Sequence, residues 1–328
     1  MKVAVLFEFT ERIGVPVTEK HLQMVREALP GAEVMMASSS QELIDAGFEA
    51  EILICWVTGG GLCIAEDYCL WDKKLKWIHG LSAGVEGVTL SRIAEIPGLR
   101  FTNAKGIHGI PISETVMGYL ISTVRMLPEV KKNQTAHQWR RLIPEEMFGK
   151  TVTIVGIGSI GSAIAKRCKA FDMRVIGVKR SYAELPYVDA VYTEEQMDDA
   201  IAQGDIVVMV LPATEKTERL FGKEKFAKMK PGALFVNVGR GQTVDTDALV
   251  EALQSGRLGG AMLDAVAPEP LPPEHPLWEL ENVLISPHMS AQSGLYMDRA
   301  FAVFQKHVPE YLSGERMTDE IILGESVY

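Results

Sequence analysis

Thr151-Val152-Thr153-Ile154-Val155-Gly156-Ile157-Gly158-Ser159-Ile160-Gly161 decides the fold of this 328-residue chain. Its first five residues are β-formers, and a helical pattern continues from Ser162 to Ala170. The glycines between them stand in G-x-G-x-x-G spacing. The stretch therefore reads as strand, tight turn and helix, the context in which that spacing holds a dinucleotide. Gly156 allows the turn, Gly158 lets a pyrophosphate approach the backbone, and Gly161 lets helix and strand pack closely. The N–H groups at the helix start, at Ser159 and Ile160, then face the negative phosphates.

The next strand, Arg174 to Val178, bears on which dinucleotide is held. A unit built for NAD usually ends this strand in Asp or Glu, which binds the ribose 2′-OH. Here the chain continues Lys179-Arg180-Ser181. Two cations and a hydroxyl attract a 2′-phosphate that a carboxylate would repel. NADP(H) is expected to be preferred, with NAD(H) as the alternative.

Working outward, the apolar runs 206–210, 234–238, 260–263 and 283–285 continue a strand–helix series. An earlier series has strands at Lys2–Phe7, Ala32–Met36, Ile52–Cys55 and Trp77–His79, with helices at Thr18–Leu29 and Ser40–Ala46. Regular alternation implies parallel sheets covered by helices. The fold class is α/β, with two Rossmann-like domains, the smaller one discontinuous. Long helical patterns at Ile112–Met126 and Ser290–Leu312 link the two series. Only about 40 residues follow Pro287, too few for an independent domain. The expected division is 1–102 plus 288–328 for a substrate domain and 103–287 for a dinucleotide-binding domain, with the active site in the cleft between them.

A net charge of −10 argues against a nucleic-acid surface. Cys55, Cys63, Cys69 and Cys168 form no C-x-x-C pair, which suits a reduced cytoplasm better than a disulfide scaffold. The start of the chain is not read as a signal peptide, and no apolar run approaches a membrane span. No metal-ligand spacing is evident.

Three later strands end in chemistry-bearing loops: Asn237-Val238-Gly239-Arg240-Gly241, Leu263-Asp264 through Glu269 to Pro272, and Ser286-Pro287-His288-Met289-Ser290. Ligands of open α/β sheets bind at this edge. A guanidinium flanked by glycines can approach a small anion unobstructed and hold a carboxylate and keto oxygen in a fork. An imidazole can give a proton to a carbonyl as hydride arrives. A carboxylate on its other nitrogen fixes the tautomer and stabilises the imidazolium. Taken singly, Arg240 reads as a surface arginine, Glu269 as a solvated loop residue and His288 as a cap. Together, beside a nicotinamide, they suit reduction of a 2-keto acid. His79 reads as a core residue and His275 as loop packing.

Along nearly its full length the chain resembles the D-isomer-specific 2-hydroxyacid dehydrogenases. The markers are Ser82-Ala83-Gly84-Val85, the glycine fingerprint, Val210-Leu211-Pro212, Val238-Gly239-Arg240-Gly241, Leu263-Asp264, Glu269-Pro270-Leu271-Pro272 and Pro287-His288. The resemblance implies that Arg240 binds substrate, His288 is the acid/base and Glu269 orients it. It further implies that Ala83 and Gly84 offer N–H groups to a substrate carboxylate, that Asp264 lies by the nicotinamide amide, and that Leu211 and Pro212 flank the adenosine. Thr217, Val238 and Gly239 complete the expected cofactor set. The chain looks most like the NADPH-preferring glyoxylate/hydroxypyruvate reductases, some of which keep a pocket tryptophan at the place of Trp56. Glu86 and Val266 depart from the usual residues of the family. Val266 would reshape the nicotinamide side of the cleft. The resemblance implies a homodimer formed through the cofactor domain, with Gln138-Trp139-Arg140 in its arm. The competing readings are the same chemistry on a bulkier keto acid, or a nucleotide-sensing, corepressor-like binding protein.

Overall fold

The computed structural model describes residues 1–9, 14–57, 61–83 and 92–322. The chain folds as two compact units, one of Met1–His108 and Gln292–Tyr328, the other of Gly109–Ala291. Both are α/β with parallel sheets.

The first unit runs β1 (Lys2–Leu6), α1 (Glu19–Ala28), β2 (Glu33–Ala37), α2 (Ser40–Asp45), β3 (Ile52–Cys55), α3 (Gly61–Trp71), β4 (Trp77–Gly80) and β5 (Arg100–Asn103). Its five strands pair in the order β2-β1-β3-β4-β5, all parallel. Every residue of β3 and β4 is buried. Continuous apolar runs of this kind belong to strands covered on both faces. One cover is the C-terminal helix Tyr296–Ser313, which packs against α1. Its Phe304 stacks on Trp77 of β4 with ring centroids 5.0 Å apart.

That helix starts six residues after Ser290, where the sequence pattern placed its beginning. The reason is a long-range contact: the amide and hydroxyl of Ser290 both donate to Asp264, 26 residues earlier. This bonding holds residue 290 in a turn instead of a helix.

The second unit opens with α4 (Gly109–Val124) and α5 (Leu127–Thr135). It continues through β6 (Thr151–Val155), α6 (Ser159–Lys169), β7 (Arg174–Val178), β8 (Ala190–Tyr192), α7 (Met197–Ile201), β9 (Ile206–Met209) and α8 (Lys223–Lys228). It ends with β10 (Ala233–Asn237), α9 (Thr246–Gln254), β11 (Leu258–Leu263) and β12 (Val283–Ile285). Helix α4 begins before the expected Ile112 and takes Pro111 into its first turn, where the missing N–H would have no intrahelical partner. Strand β8 was not foreseen. It is an edge strand of three half-buried residues, too short to show alternation.

The seven strands pair in parallel in the order β12-β11-β10-β9-β6-β7-β8. From β6 the chain builds outward through β7 and β8, then crosses back to lay β9 on the other side of β6. The winding reverses between β6 and β9, and in open parallel sheets ligands bind at the carboxyl ends of the strands flanking such a point. Gly156 follows β6 there, and Val210-Leu211-Pro212 follow β9.

Candidate active site

The glycines of the fingerprint have three different physical reasons. Gly156 sits at φ 97, a left-handed value that suits glycine. Its N–H and that of Ile157 both donate to the Val178 carbonyl, at 3.0 and 3.1 Å. Gly161 is buried, and a Cβ there would lie 2.7 Å from the Gly156 oxygen and 3.2 Å from Ile154 Cγ2. Gly158, the N-cap of α6, is exposed, and a Cβ there would meet nothing within 4 Å. The first intrahelical bond is Ser162 N–H to the Gly158 carbonyl at 2.8 Å. The amides of Ser159, Ile160 and Gly161 therefore have no intrahelical acceptor, as in any first turn. An open, exposed helix start at the sheet crossover fits a pyrophosphate.

The other cofactor candidates of this unit gather around the same edge. A Cβ on Gly156 would lie 2.9 Å from the Val210 oxygen, and one on Gly239 would lie 2.6 Å from the Leu211 oxygen. The loops after β6, β9 and β10 thus pack backbone to backbone. Val238 is buried and its N–H reaches the Met209 carbonyl at 3.1 Å. Thr217 shapes the loop beyond Pro212: its hydroxyl donates to the Pro212 carbonyl at 2.7 Å and accepts the Thr214 N–H at 2.8 Å. Lys179, Arg180 and Ser181 follow β7 directly. Arg180 is 84% exposed, with its Nε 4.0 Å from Glu194.

Arg240 is half-buried, and its Nη1 donates to the Gly239 carbonyl at 3.1 Å. The flanking glycines serve more than access to an anion. A Cβ on Gly241 would fall inside the Val266 carbonyl, so glycine is needed for the Arg240 loop to sit on the loop after β11. Asn237 holds the two loops together. Its Oδ1 accepts the Gly239 N–H at 3.0 Å, and its Nδ2 donates to the carbonyls of Arg240 and Ala265, each at 3.2 Å. Sequence reading passed over Asn237 as a strand end. The signal was there in Asn-x-Gly, an Asx turn in which the side chain bonds the backbone two residues on.

His288 and Glu269 come together: Nδ1 lies 2.9 Å from Oε1, with both side chains about two-fifths exposed (42% and 41%). With Nδ1 committed to the carboxylate, Nε2 is the nitrogen available to a substrate oxygen. Asp264 is buried and tied to the His288 loop by its carboxylate and its carbonyl. Ser286 and Ser290, which donate to it, were also missed, because a serine near a strand end carries no distinctive pattern.

The substrate candidates Trp56 and Ala83 belong to the first unit. Trp56, just after β3, is half-buried with its ring 5.6 Å from that of Tyr296. The Tyr296 hydroxyl is 3.2 Å from His108 Nε2. The Ala83 carbonyl accepts from Asn103 Nδ2 at 2.6 Å. Gly84 and Glu86 lie outside the described residues. His79 is fully buried, its Nδ1 2.8 Å from the Thr102 hydroxyl. Burial pushes the Cys55 and Cys168 thiols up to about 12, which keeps them from acting as nucleophiles. Among the described residues no cluster of His, Cys, Asp and Glu could hold a metal, and no helix is long and apolar enough to cross a membrane.

Known proteins share the sequence and fold of this chain. Residues 117–290 match the family profile described as D-isomer specific 2-hydroxyacid dehydrogenase, NAD binding domain. The chain is 32% identical over 286 residues to the glyoxylate reductase of Thermofilum pendens, covering 84% of this chain and 83% of that protein. It is 29% identical over 306 residues to the D-3-phosphoglycerate dehydrogenase of Methanocaldococcus jannaschii, covering 92% of this chain but spanning only 57% of that protein. A D-isomer specific 2-hydroxyacid dehydrogenase family protein from Aeromonas salmonicida superposes with a TM-score of 0.82 at 32% identity, over 98% of each chain. The NADPH-dependent glyoxylate/hydroxypyruvate reductase of Sinorhizobium meliloti, solved with NADP and sulfate, superposes with a TM-score of 0.74 at 25% identity, over 99% of each chain.

Proposed function

The chain belongs to the D-isomer-specific 2-hydroxyacid dehydrogenase family, and from that premise we propose that it reduces a small 2-keto acid, of the glyoxylate or hydroxypyruvate kind, to the D-2-hydroxy acid with NADPH. The observation that carries the reading is the 2.9 Å contact between His288 Nδ1 and Glu269 in a strand-end loop of the cofactor-binding unit. The bound nicotinamide supplies the hydride that the keto carbon accepts. His288 Nε2 gives its proton to the keto oxygen, which becomes the hydroxyl. Glu269 keeps the ring turned so that Nε2 faces that oxygen, and its negative charge offsets the imidazolium. Arg240 holds the substrate carboxylate and keto oxygen in a fork, so the carbonyl is polarised and presented in one orientation. In the oxidation direction neutral His288 takes the hydroxyl proton back.

NADPH is favoured over NADH because Lys179, Arg180 and Ser181 stand where a carboxylate would otherwise bind the ribose. Arg180, exposed and only loosely engaged with Glu194, gives up little to meet a 2′-phosphate. The S. meliloti reductase is described as NADPH-dependent, which supports the same choice. We read the second unit as the dimer-forming one as well. Trp139 is 100% exposed and Ile143 95% exposed on its surface. Helix α5 buries none of its residues. Apolar groups displayed together in this way mark a partner surface. The described cysteines Cys55, Cys69 and Cys168 are unpaired, which fits a reducing cytoplasm.

The deciding experiment is NADPH oxidation with glyoxylate, hydroxypyruvate, pyruvate and phenylpyruvate, repeated with NADH. The highest kcat/KM is expected for glyoxylate or hydroxypyruvate with NADPH. Faster turnover of phenylpyruvate would move the substrate class to bulkier keto acids. NADPH binding without turnover of any keto acid would favour a nucleotide-sensing role.

A further inference from the structure

Asp264 is buried, yet its carboxylate is surrounded by donors that all come from one short stretch. The Ser286 hydroxyl donates to Oδ1 at 2.5 Å, and the amides of Met289 and Ser290 donate to the same oxygen at 3.0 Å each. The Ser290 hydroxyl donates to Oδ2. The Asp264 backbone carbonyl accepts the N–H of His288 at 3.0 Å. Residues 286–290 are thus closed over a single residue. His288, inside the closure, sits at φ 52, a left-handed conformation costly for a residue with a Cβ. Such a conformation persists where its surroundings over-determine it.

Ser290 is the residue of the stretch that grips both carboxylate oxygens. It is itself 4% exposed, and its carbonyl lies 3.5 Å from the Thr115 hydroxyl of α4. Without its hydroxyl the three Oδ1 donors would remain, but Oδ2 would lose its serine partner and the carboxylate could turn about its last torsion, which is soft. We propose that Ser290 is a positioning residue for proton transfer. By bridging both oxygens of Asp264 it holds the turn at His288, and with it the angle at which the imidazole meets Glu269. This inference rests on the reading of His288 as the proton donor, and its test has an arm that needs no turnover.

The test is Ser290→Ala, made in the full chain. In steady-state NADPH oxidation kcat should fall roughly ten- to a hundredfold, the scale of a catalytic group misplaced by about 1 Å. KM for the keto acid should stay within about twofold, and NADPH affinity should fall by much less than kcat, because neither is bound by this hydroxyl and Asp264 keeps its three Oδ1 donors. The second arm uses 15N-histidine NMR of the protein without substrate. The Nδ1–H held by Glu269 is assigned by its loss in His288→Ala, and in Ser290→Ala it should exchange with solvent about tenfold faster or more. If Ser290→Ala does not fold, Ser290→Cys, whose thiol donates only weakly to Oδ2, should lower kcat and speed the ring-proton exchange, and no change in either overturns the proposal. Unchanged kcat with unchanged ring-proton exchange overturns the proposal. A loss of turnover matched by an equal loss of NADPH affinity overturns it too, because Ser290 would then serve the cofactor site. If wild-type protein reduces no keto acid, the functional reading fails, and the exchange measurement still decides whether Ser290 holds His288.

Discussion

A methyl group added at Gly158 should leave the fold intact and cripple cofactor binding. The residue has a negative φ (φ −94, ψ −150), outside the left-handed region that favours glycine, and its Cβ would meet no atom within 4 Å. Alanine is a poorer N-cap than glycine by up to about 1 kcal/mol, and its stiffer unfolded chain returns about 0.4–1 kcal/mol. The net change is under about 1 kcal/mol, or less than about 4 °C in Tm for a unit of this size. The methyl would, however, stand where a pyrophosphate has to approach the amides of the helix start. Each charge-assisted hydrogen bond lost there costs about 1.5–3 kcal/mol. Loss of two such bonds weakens NADPH binding roughly 10²- to 10⁴-fold. Gly161→Ala is the contrasting variant. Its Cβ would press 2.7 Å from the Gly156 oxygen, so backbone must move, at about 1–3 kcal/mol. Tm should drop by several degrees along with cofactor affinity. Calorimetry of the protein without cofactor and titration of NADPH fluorescence measure the two quantities separately. A Gly158→Ala protein that binds NADPH within threefold of wild type would show that the pyrophosphate does not lie over this turn, and would refute the reasoning.

Arg240→Lys should lower kcat/KM by about a hundredfold or more with NADPH affinity near normal, since lysine cannot make the fork. The Arg240 carbonyl stays pinned by Asn237 Nδ2 and by the Thr243 hydroxyl at 2.6 Å, so the change is confined to the head group; unchanged kcat/KM would remove Arg240 from the mechanism. Lys179→Asp combined with Arg180→Ala should reverse the cofactor preference, each lost contact being worth roughly tenfold at so exposed a site; a double variant that still prefers NADPH by the wild-type ratio would place the 2′-phosphate elsewhere. His79 supplies a pH dependence of stability. Burial, and then the neighbouring His307, push its imidazole down to about 3. In the unfolded chain it titrates near 6.5, so its contribution is whole above that pH and is lost as pH falls toward about 3, at about 1.4 kcal/mol per unit. In urea unfolding His79→Phe should lose about 2 kcal/mol less than wild type between pH 7 and pH 5; equal losses in the two proteins would contradict this.

Much of this protein can be read from local pattern. G-x-G-x-x-G after a β-run and before a helix is a sequence of short-range steric demands, so it identifies strand, turn and helix without knowledge of anything distant. The alternation of apolar runs with helical stretches likewise specifies parallel α/β layers, because a strand buried on both faces has to be apolar throughout. The loops bearing Arg240, Glu269 and His288 could be found for the same reason, each ending an apolar run. What local pattern could not carry is which backbone meets which. That Gly241 is required by the Val266 carbonyl, and Gly239 by the Leu211 backbone, follows from neighbouring strands ending at one level of the sheet. Asn237 looked like an ordinary strand-end residue and Asp264 was expected only beside the nicotinamide amide; the tertiary structure makes them the anchors of the Arg240 and His288 loops. Ser290 shows the limit most directly. Its residues continue an apparent helical pattern toward Leu312, yet a buried carboxylate 26 positions earlier takes its amide and hydroxyl and keeps the helix from starting there. Propensity acts over a few residues at tenths of a kcal/mol each, whereas a buried carboxylate left without its donors costs several times more. The long-range contact therefore decides the conformation at the residue that sets His288.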